Sequence, residues 1–173
     1  MRILFSFLAI FIVSPSLAWA EPESQDFLRI EHPYAYATTS VQKNAAVFLT
    51  VHREDQFENG MPDDYAAPQS FLTSVETDVA EHAELHTHIM DGDVMMMREV
   101  EKYEVKNNDA LVLEPMGHHI MLFGLKAPLK VGGEFPMSLY FDDNNRRDIM
   151  VQIVKPGETP NGGHDHNHHE AEH

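Results

Sequence analysis

Residues Ala83 to Val100 read AELHTHIMDGDVMMMREV. Strand-like runs lie on both sides of Asp91-Gly92, and both of these turn residues tolerate the positive φ that a tight hairpin requires. The stretch therefore predicts two antiparallel strands, His82 to Met90 and Val94 to Val100, joined by a short turn. Side chains on a strand alternate between its two faces, so every second residue of this hairpin shares one surface.

The rest of the chain has the same character. Short β-branched or aromatic runs are separated by clusters of Gly, Pro, Asn and Asp, and helical periodicity is hard to find. Nine such runs at this spacing predict an all-β Greek-key sandwich. The other seven predicted strands are Phe27 to Thr38, Ala45 to His52, Ser70 to Val75, Ala110 to Glu114, His119 to Gly124, Glu134 to Phe141 and Asp148 to Lys155.

The sequence divides into three segments. Residues 1–20 combine Arg2, an apolar run and Ala18-Trp19-Ala20, which predicts a signal peptide with a small-x-small cleavage site. The next segment, residues 21–155, is expected to be one metal-binding domain, with a long surface loop from Arg53 to Gln69. Residues 156–173 contain Gly, Pro, Asn, His and acid without core-forming residues, which predicts a disordered His-rich tail.

Charge and cysteine content exclude several functions. The formal net charge of −16 argues against binding to nucleic acid or to an anionic membrane surface. The chain has no cysteine, which excludes a blue-copper site, a nucleophilic Cys and a lipid-modified Cys. We expect an exported monomer. We also expect no stable membrane insertion, because the apolar run near the N-terminus is shorter than the roughly 20 residues that span a bilayer.

Two histidines and two methionines have a spacing that points to Cu(I). His86 is followed by ten residues and Met97, then by twenty-one residues and His119, and then by one residue and Met121. Thioether sulfur is a soft, uncharged ligand that suits Cu(I), whereas Ca²⁺, Mg²⁺ and Mn²⁺ prefer oxygen. Strand alternation predicts that all four side chains share one exposed face of the sheet.

The other histidines and methionines of the chain have several possible roles. Three neighbours of the proposed ligands are candidate auxiliary metal donors: His88, Met90 and His118. Five further methionines are expected to fill gaps in the core: Met95, Met96, Met116, Met137 and Met150. The tail predicts a second metal site, which favours Cu(II) or Zn²⁺ because its donors are imidazole and carboxylate. Its histidines are His164, His166, His168, His169 and His173.

In the spacing of His86, Met97, His119 and Met121, the chain resembles the PCu(A)C family of periplasmic copper(I) chaperones. The similarity lies in Asn44 to Val51, Ala83 to Val100 and Leu113 to Phe141, with a longer loop after Arg53 and with Met116 where the family often has Gly. The resemblance implies a cupredoxin-like β-sandwich with His86, Met97, His119 and Met121 at the copper positions. It also implies periplasmic delivery of copper to the binuclear centre of cytochrome c oxidase, with a Sco-type protein as co-worker.

Two alternatives remain at this point. An extracytoplasmic store or scavenger of copper or zinc would use the His-rich tail as its main reservoir. An enzyme is not expected, because no Ser-His-Asp order, phosphate loop or zincin motif is present. Neutral thioethers are also poor at generating a hydroxide nucleophile.

Overall fold

The computed structural model describes residues 28–53, 70–92, 94–107, 109–142 and 145–160. These residues form ten β-strands and no helix. The strands are β1 (Leu28–Tyr36), β2 (Asn44–Arg53), β3 (Ser70–Glu76), β4 (His82–Asp91), β5 (Val94–Glu99), β6 (Tyr103–Val105), β7 (Ala110–Leu113), β8 (His118–Phe123), β9 (Glu134–Phe141) and β10 (Arg146–Val154).

The strands are hydrogen-bonded in the order β5-β4-β8-β7-β2-β1-β10-β9-β3-β6, and β8 also pairs with β2. All but two of the pairings are antiparallel; the exceptions are β1 with β10 and β7 with β8. This sheet folds over so that β3 packs against β4, and the core lies between the two layers. The prediction of an all-β sandwich is confirmed.

The register of β4 against β8 is set by the core. Leu85 lies opposite Ile120, and both side chains are buried. Because strand side chains alternate, a slip of one residue would move these apolar groups to the outer face. The same alternation directs the neighbouring residue on each strand, His86 on β4 and His119 on β8, to the opposite face.

The β4–β5 hairpin forms as predicted, with its turn one residue later. Asp91 pairs with Val94 and is therefore the last residue of β4, rather than a turn residue. Gly92 follows with φ +63°, a left-handed conformation that glycine adopts without steric cost. The pairing continues as Met90 with Met95 and His88 with Met97, so the hairpin has no bulge between its tip and His86.

One strand was not predicted. β6 has only three residues, Tyr103 to Val105, and pairs with β3. A run this short contains too few residues for alternation to be recognised. The predicted signal peptide lies outside the described residues, as do nearly all of the predicted loop, residues 54–69, and tail residues 161–173.

The expectation that five methionines fill the core was wrong for most of them. Met137 is buried, and Met96 is partly buried. Met95, Met116 and Met150 are instead 46%, 64% and 46% exposed. Met95 and Met150 lie on the outward side of their strands, opposite the side that alternation directs to the core.

Met116 occupies a backbone conformation that suits glycine. It is the third residue of a turn closed by the Gly117 amide, which donates to the Glu114 carbonyl at 3.1 Å. Pro115 is the second residue, and Met116 has φ +68°. A positive φ at this position is typical of a type II turn, in which a side chain is disfavoured. The family resemblance had identified this same position as one where Gly is usual.

We expect Met116→Gly to raise the free energy of unfolding of the metal-free protein by up to about 1 kcal/mol. Relief of the left-handed strain should exceed the added entropy of the unfolded chain. The matched control is Met150→Gly, because Met150 is also exposed but lies inside β10. There glycine should cost about 1 kcal/mol. Urea denaturation measures both values, and equal destabilisation by the two substitutions would contradict the strain at Met116.

Candidate metal centre

β4 is the middle strand of the candidate site. His86 lies directly opposite His119 on β8, and the two ring centroids are 6.0 Å apart. Met97 on β5 lies opposite His88, one pleat along from His86. Met121 lies opposite Glu84, one pleat along in the other direction. The register therefore places all four predicted ligands on the same face of three neighbouring strands.

His119 has one ring nitrogen engaged and one directed at a methionine. Its Nδ1 donates to the Gly117 carbonyl at 3.0 Å, which leaves Nε2 with a lone pair. That Nε2 lies 3.2 Å from the Met97 sulfur. Burial lowers the pKa of His119, and the neighbouring histidines lower it further, although the Gly117 carbonyl acts in the opposite direction. The imidazole is thus held neutral, which is the form that binds metals.

His86 is oriented by a carboxylate. Its Nε2 donates to Glu84 Oε2 at 2.7 Å, while the other carboxylate oxygen lies 3.4 Å from Nε2 of His82. Nδ1 of His86 is buried and has no hydrogen-bond partner among the described residues. A carboxylate on one ring nitrogen and a free lone pair on the other is the usual arrangement around metal-binding histidines. Glu84 was not singled out from the sequence, although alternation places it on the same face two residues before His86.

The four side chains differ in exposure, contrary to the expectation of one exposed face. His119 is only 2% exposed, whereas Met97 is 49% exposed. His86 and Met121 are intermediate. The site therefore has a buried imidazole at its base and an accessible thioether at its surface.

The auxiliary candidates divide between the two faces. The His88 ring centroid is 5.0 Å from that of His119, and Met90 extends the same face toward the hairpin tip. His118 follows the opposite parity, and its ring contacts Tyr103 at a centroid distance of 4.7 Å, so it does not join this group. In the described part of the chain, no three His, Asp or Glu side chains are grouped closely enough to hold a metal ion. The five tail histidines lie outside the described residues.

Tyr103 is a structural residue of the site that the sequence did not indicate, because β6 was not recognised. Its buried hydroxyl donates to the backbone carbonyl of His86 and lies 3.1 Å from the carbonyl of His119. Burial raises its pKa to about 12, so the phenol remains a donor. One side chain thus connects the backbones of both histidine-bearing strands.

The fold has known counterparts. The chain superimposes on the copper-bound PCuAC domain from PmoF2 with a TM-score of 0.60 and 17% identity, over 75% of this chain and 94% of that one. Against the CuI-DR1885 structure from Deinococcus radiodurans, the TM-score is 0.53 at 22% identity, with 77% and 83% covered. These similarities confirm the predicted cupredoxin-like β-sandwich.

The family is defined by sequence. Residues 28–153 match the family model described as "Putative lipoprotein LpqE-like", so the chain belongs to the LpqE-like family. The uncharacterized protein RP573 of Rickettsia prowazekii is 27% identical over 154 residues, which cover 82% of this chain and 78% of that protein. The family name thus differs from that of the PCu(A)C resemblance, while the fold is the one seen in PCuAC domains.

Among the described residues, no helix has the length and apolar character needed to cross a bilayer.

We expect Tyr103→Phe to lower the free energy of unfolding by about 1 kcal/mol, because it removes a buried hydroxyl that donates to a backbone carbonyl of the paired strands β4 and β8. Tyr140→Phe is the matched control, since the Tyr140 hydroxyl bonds Glu76 at the surface and its loss should matter much less. Denaturant unfolding of both metal-free variants gives the comparison. A Tyr103→Phe protein as stable as Tyr140→Phe would contradict the role of Tyr103 as a connection between β4 and β8.

Proposed function

We propose that this chain is a copper chaperone that binds Cu(I) through His86, Met97, His119 and Met121. The observation that carries the proposal is the 3.2 Å approach of Nε2 of His119 to the sulfur of Met97. Two donors that are 22 positions apart in the sequence already lie within contact distance of each other. The copper-bound PCuAC domain of PmoF2 supports the choice of metal, since it shares this fold.

The donor chemistry favours the reduced ion. Two thioethers add no charge and bind without losing a proton, while two neutral imidazoles supply borderline nitrogen. The nitrogens with available lone pairs are Nδ1 of His86 and Nε2 of His119, because each opposite ring nitrogen is engaged by Glu84 or Gly117. Hard ions such as Ca²⁺ and Mg²⁺ gain little from such a set.

The difference in exposure favours transport over permanent storage. Met97 is accessible, so a recipient's own ligand can replace its sulfur before the buried His119 is released. Such stepwise exchange keeps the ion coordinated and its oxidation state unchanged. By family resemblance, we propose the copper-bearing subunit of cytochrome c oxidase as recipient, with a Sco-type protein as co-worker. The description of the LpqE-like family as lipoproteins supports a location outside the cytoplasm, in the periplasm.

The proposal is tested by anaerobic competition with a colorimetric Cu(I) chelator. Met97→Leu and Met121→Leu should each weaken Cu(I) binding by about tenfold or more, because each removes one of four ligands while keeping side-chain size. Met150→Leu is the matched control, an exposed methionine on β10 that should bind nothing. Equal affinity of all three variants and the unmodified protein would refute the copper site.

The store or scavenger alternative makes a different prediction in cells. Under the chaperone proposal, Met97→Leu impairs assembly of the oxidase copper centre, and deletion of the tail, residues 156–173, has the smaller effect. The alternative is favoured if deletion of the tail abolishes copper tolerance while Met97→Leu leaves the oxidase fully assembled.

Glu84 provides a prediction about the orientation of His86. Glu84→Leu should weaken Cu(I) binding by about 10–100-fold, the usual effect of removing a carboxylate that orients a metal-binding histidine. Glu84→Gln should cost less, because its amide oxygen can still accept from Nε2 of His86. The same chelator competition measures both, with Glu76→Leu as a control at an exposed glutamate. Equal losses in Glu84→Gln and Glu84→Leu would contradict the positioning role.

A further inference from the structure

The tip of the β4–β5 hairpin carries a second pair of thioethers. Met90 and Met95 lie directly opposite each other, one pair before the turn. They are 62% and 46% exposed, whereas the alternating pair, Ile89 and Met96, is partly buried. Core packing, the ordinary role of methionine, therefore does not account for Met90 and Met95.

The geometry of this pair suits a soft ion. Residues directly opposite in an antiparallel pair have Cβ atoms about 4.5–5.5 Å apart. Methionine is unbranched and has three rotatable bonds, so two opposed side chains can direct their sulfur atoms toward one point between them. Thioethers are soft donors that select a soft ion over Ca²⁺, Mg²⁺ or Zn²⁺.

The pair is also adjacent to the site already described. Met95 is two residues from Met97, and Met90 is two residues from His88, which lies opposite Met97. Two residues along a strand cover about 6.6–6.8 Å, a gap that flexible methionine side chains can narrow from both ends. All four side chains lie on one face, so no strand has to move for an ion to pass between neighbouring sulfur atoms.

We propose that Met90 and Met95 form an outer site for a soft monovalent cation, Cu(I) or Ag(I), and that this outer site exchanges the ion with Met97. This inference rests on the proposed function and adds an entry and exit step to it. The inner site is the one formed by His86, Met97, His119 and Met121. A thioether of the outer pair donates a lone pair to the ion as one ligand of the inner site leaves, and the ion's charge and oxidation state do not change. With two donors instead of four, the outer site is the weaker one, which allows net transfer in either direction.

The outer site is tested by silver titration of the full chain labelled with ¹³C at the methionine methyl groups. Ag(I) is a redox-inert substitute for Cu(I). The first equivalent should shift Met97 and Met121, and further equivalents should shift Met90 and Met95 together while Met150 stays unchanged. Met90→Leu should remove the shift of Met95, whereas Met150→Leu should not. Unshifted Met90 and Met95 signals, or a Met95 shift that persists in Met90→Leu, would overturn the outer site.

The exchange step has its own measurement. With Cu(I)-loaded protein, transfer to a chelator should be severalfold slower in the Met90→Leu/Met95→Leu double variant, at unchanged equilibrium affinity. An unchanged rate would overturn the exchange. A failure of the proposed function can be distinguished from a failure of the outer site. The proposed function requires the Met97 and Met121 shifts at the first equivalent, and these are read from different signals.

Discussion

The candidate site depends on the antiparallel register between β4 and β8. This register places His86 opposite His119 because Leu85 and Ile120, the neighbouring pair, are buried in the core. A shift of one residue would move these apolar side chains out of the core and turn the imidazoles toward it, so the core and the site select the same alignment. Tyr103 strengthens this alignment from a third strand, since its hydroxyl contacts the backbone carbonyls of both histidines.

Around this fixed pair, the proposed ligands lie at different depths. His119 is buried, neutral and held by the Gly117 carbonyl, so its orientation is set before any ion arrives. Met97 is half exposed, and Met90 and Met95 continue the thioethers toward the hairpin tip. A rigid nitrogen at the base with flexible sulfur at the surface fits the proposed exchange of copper, because methionine has the greater conformational freedom of the two donors.

Much of this arrangement could be predicted from the sequence because alternation and turn chemistry are local. The hairpin around Gly92, the parity of His119 with Met121 and most strand bounds follow from them. Two other features required the tertiary structure. β6 is too short to show a pattern, so Tyr103 could not be placed at the site, and the exposure of Met95 depends on which face the second layer covers.

Alternation also separates residues that are neighbours in the sequence. His118 is adjacent to His119, but adjacent residues on a strand point to opposite faces. The same rule would have selected Glu84, which lies two residues before His86 and engages its Nε2. Met116 was flagged only by family resemblance, and the structure supplies the reason, a turn that requires φ +68°.

The most direct test of the four-ligand copper site is X-ray absorption at the copper edge, on protein loaded with less than one equivalent of Cu(I) so that the stronger site fills first. Binding by His86, Met97, His119 and Met121 requires two sulfur and two nitrogen ligands in the unmodified protein, and the loss of one sulfur in Met121→Leu. An unchanged sulfur count in Met121→Leu, or a first shell made only of nitrogen and oxygen, would contradict it.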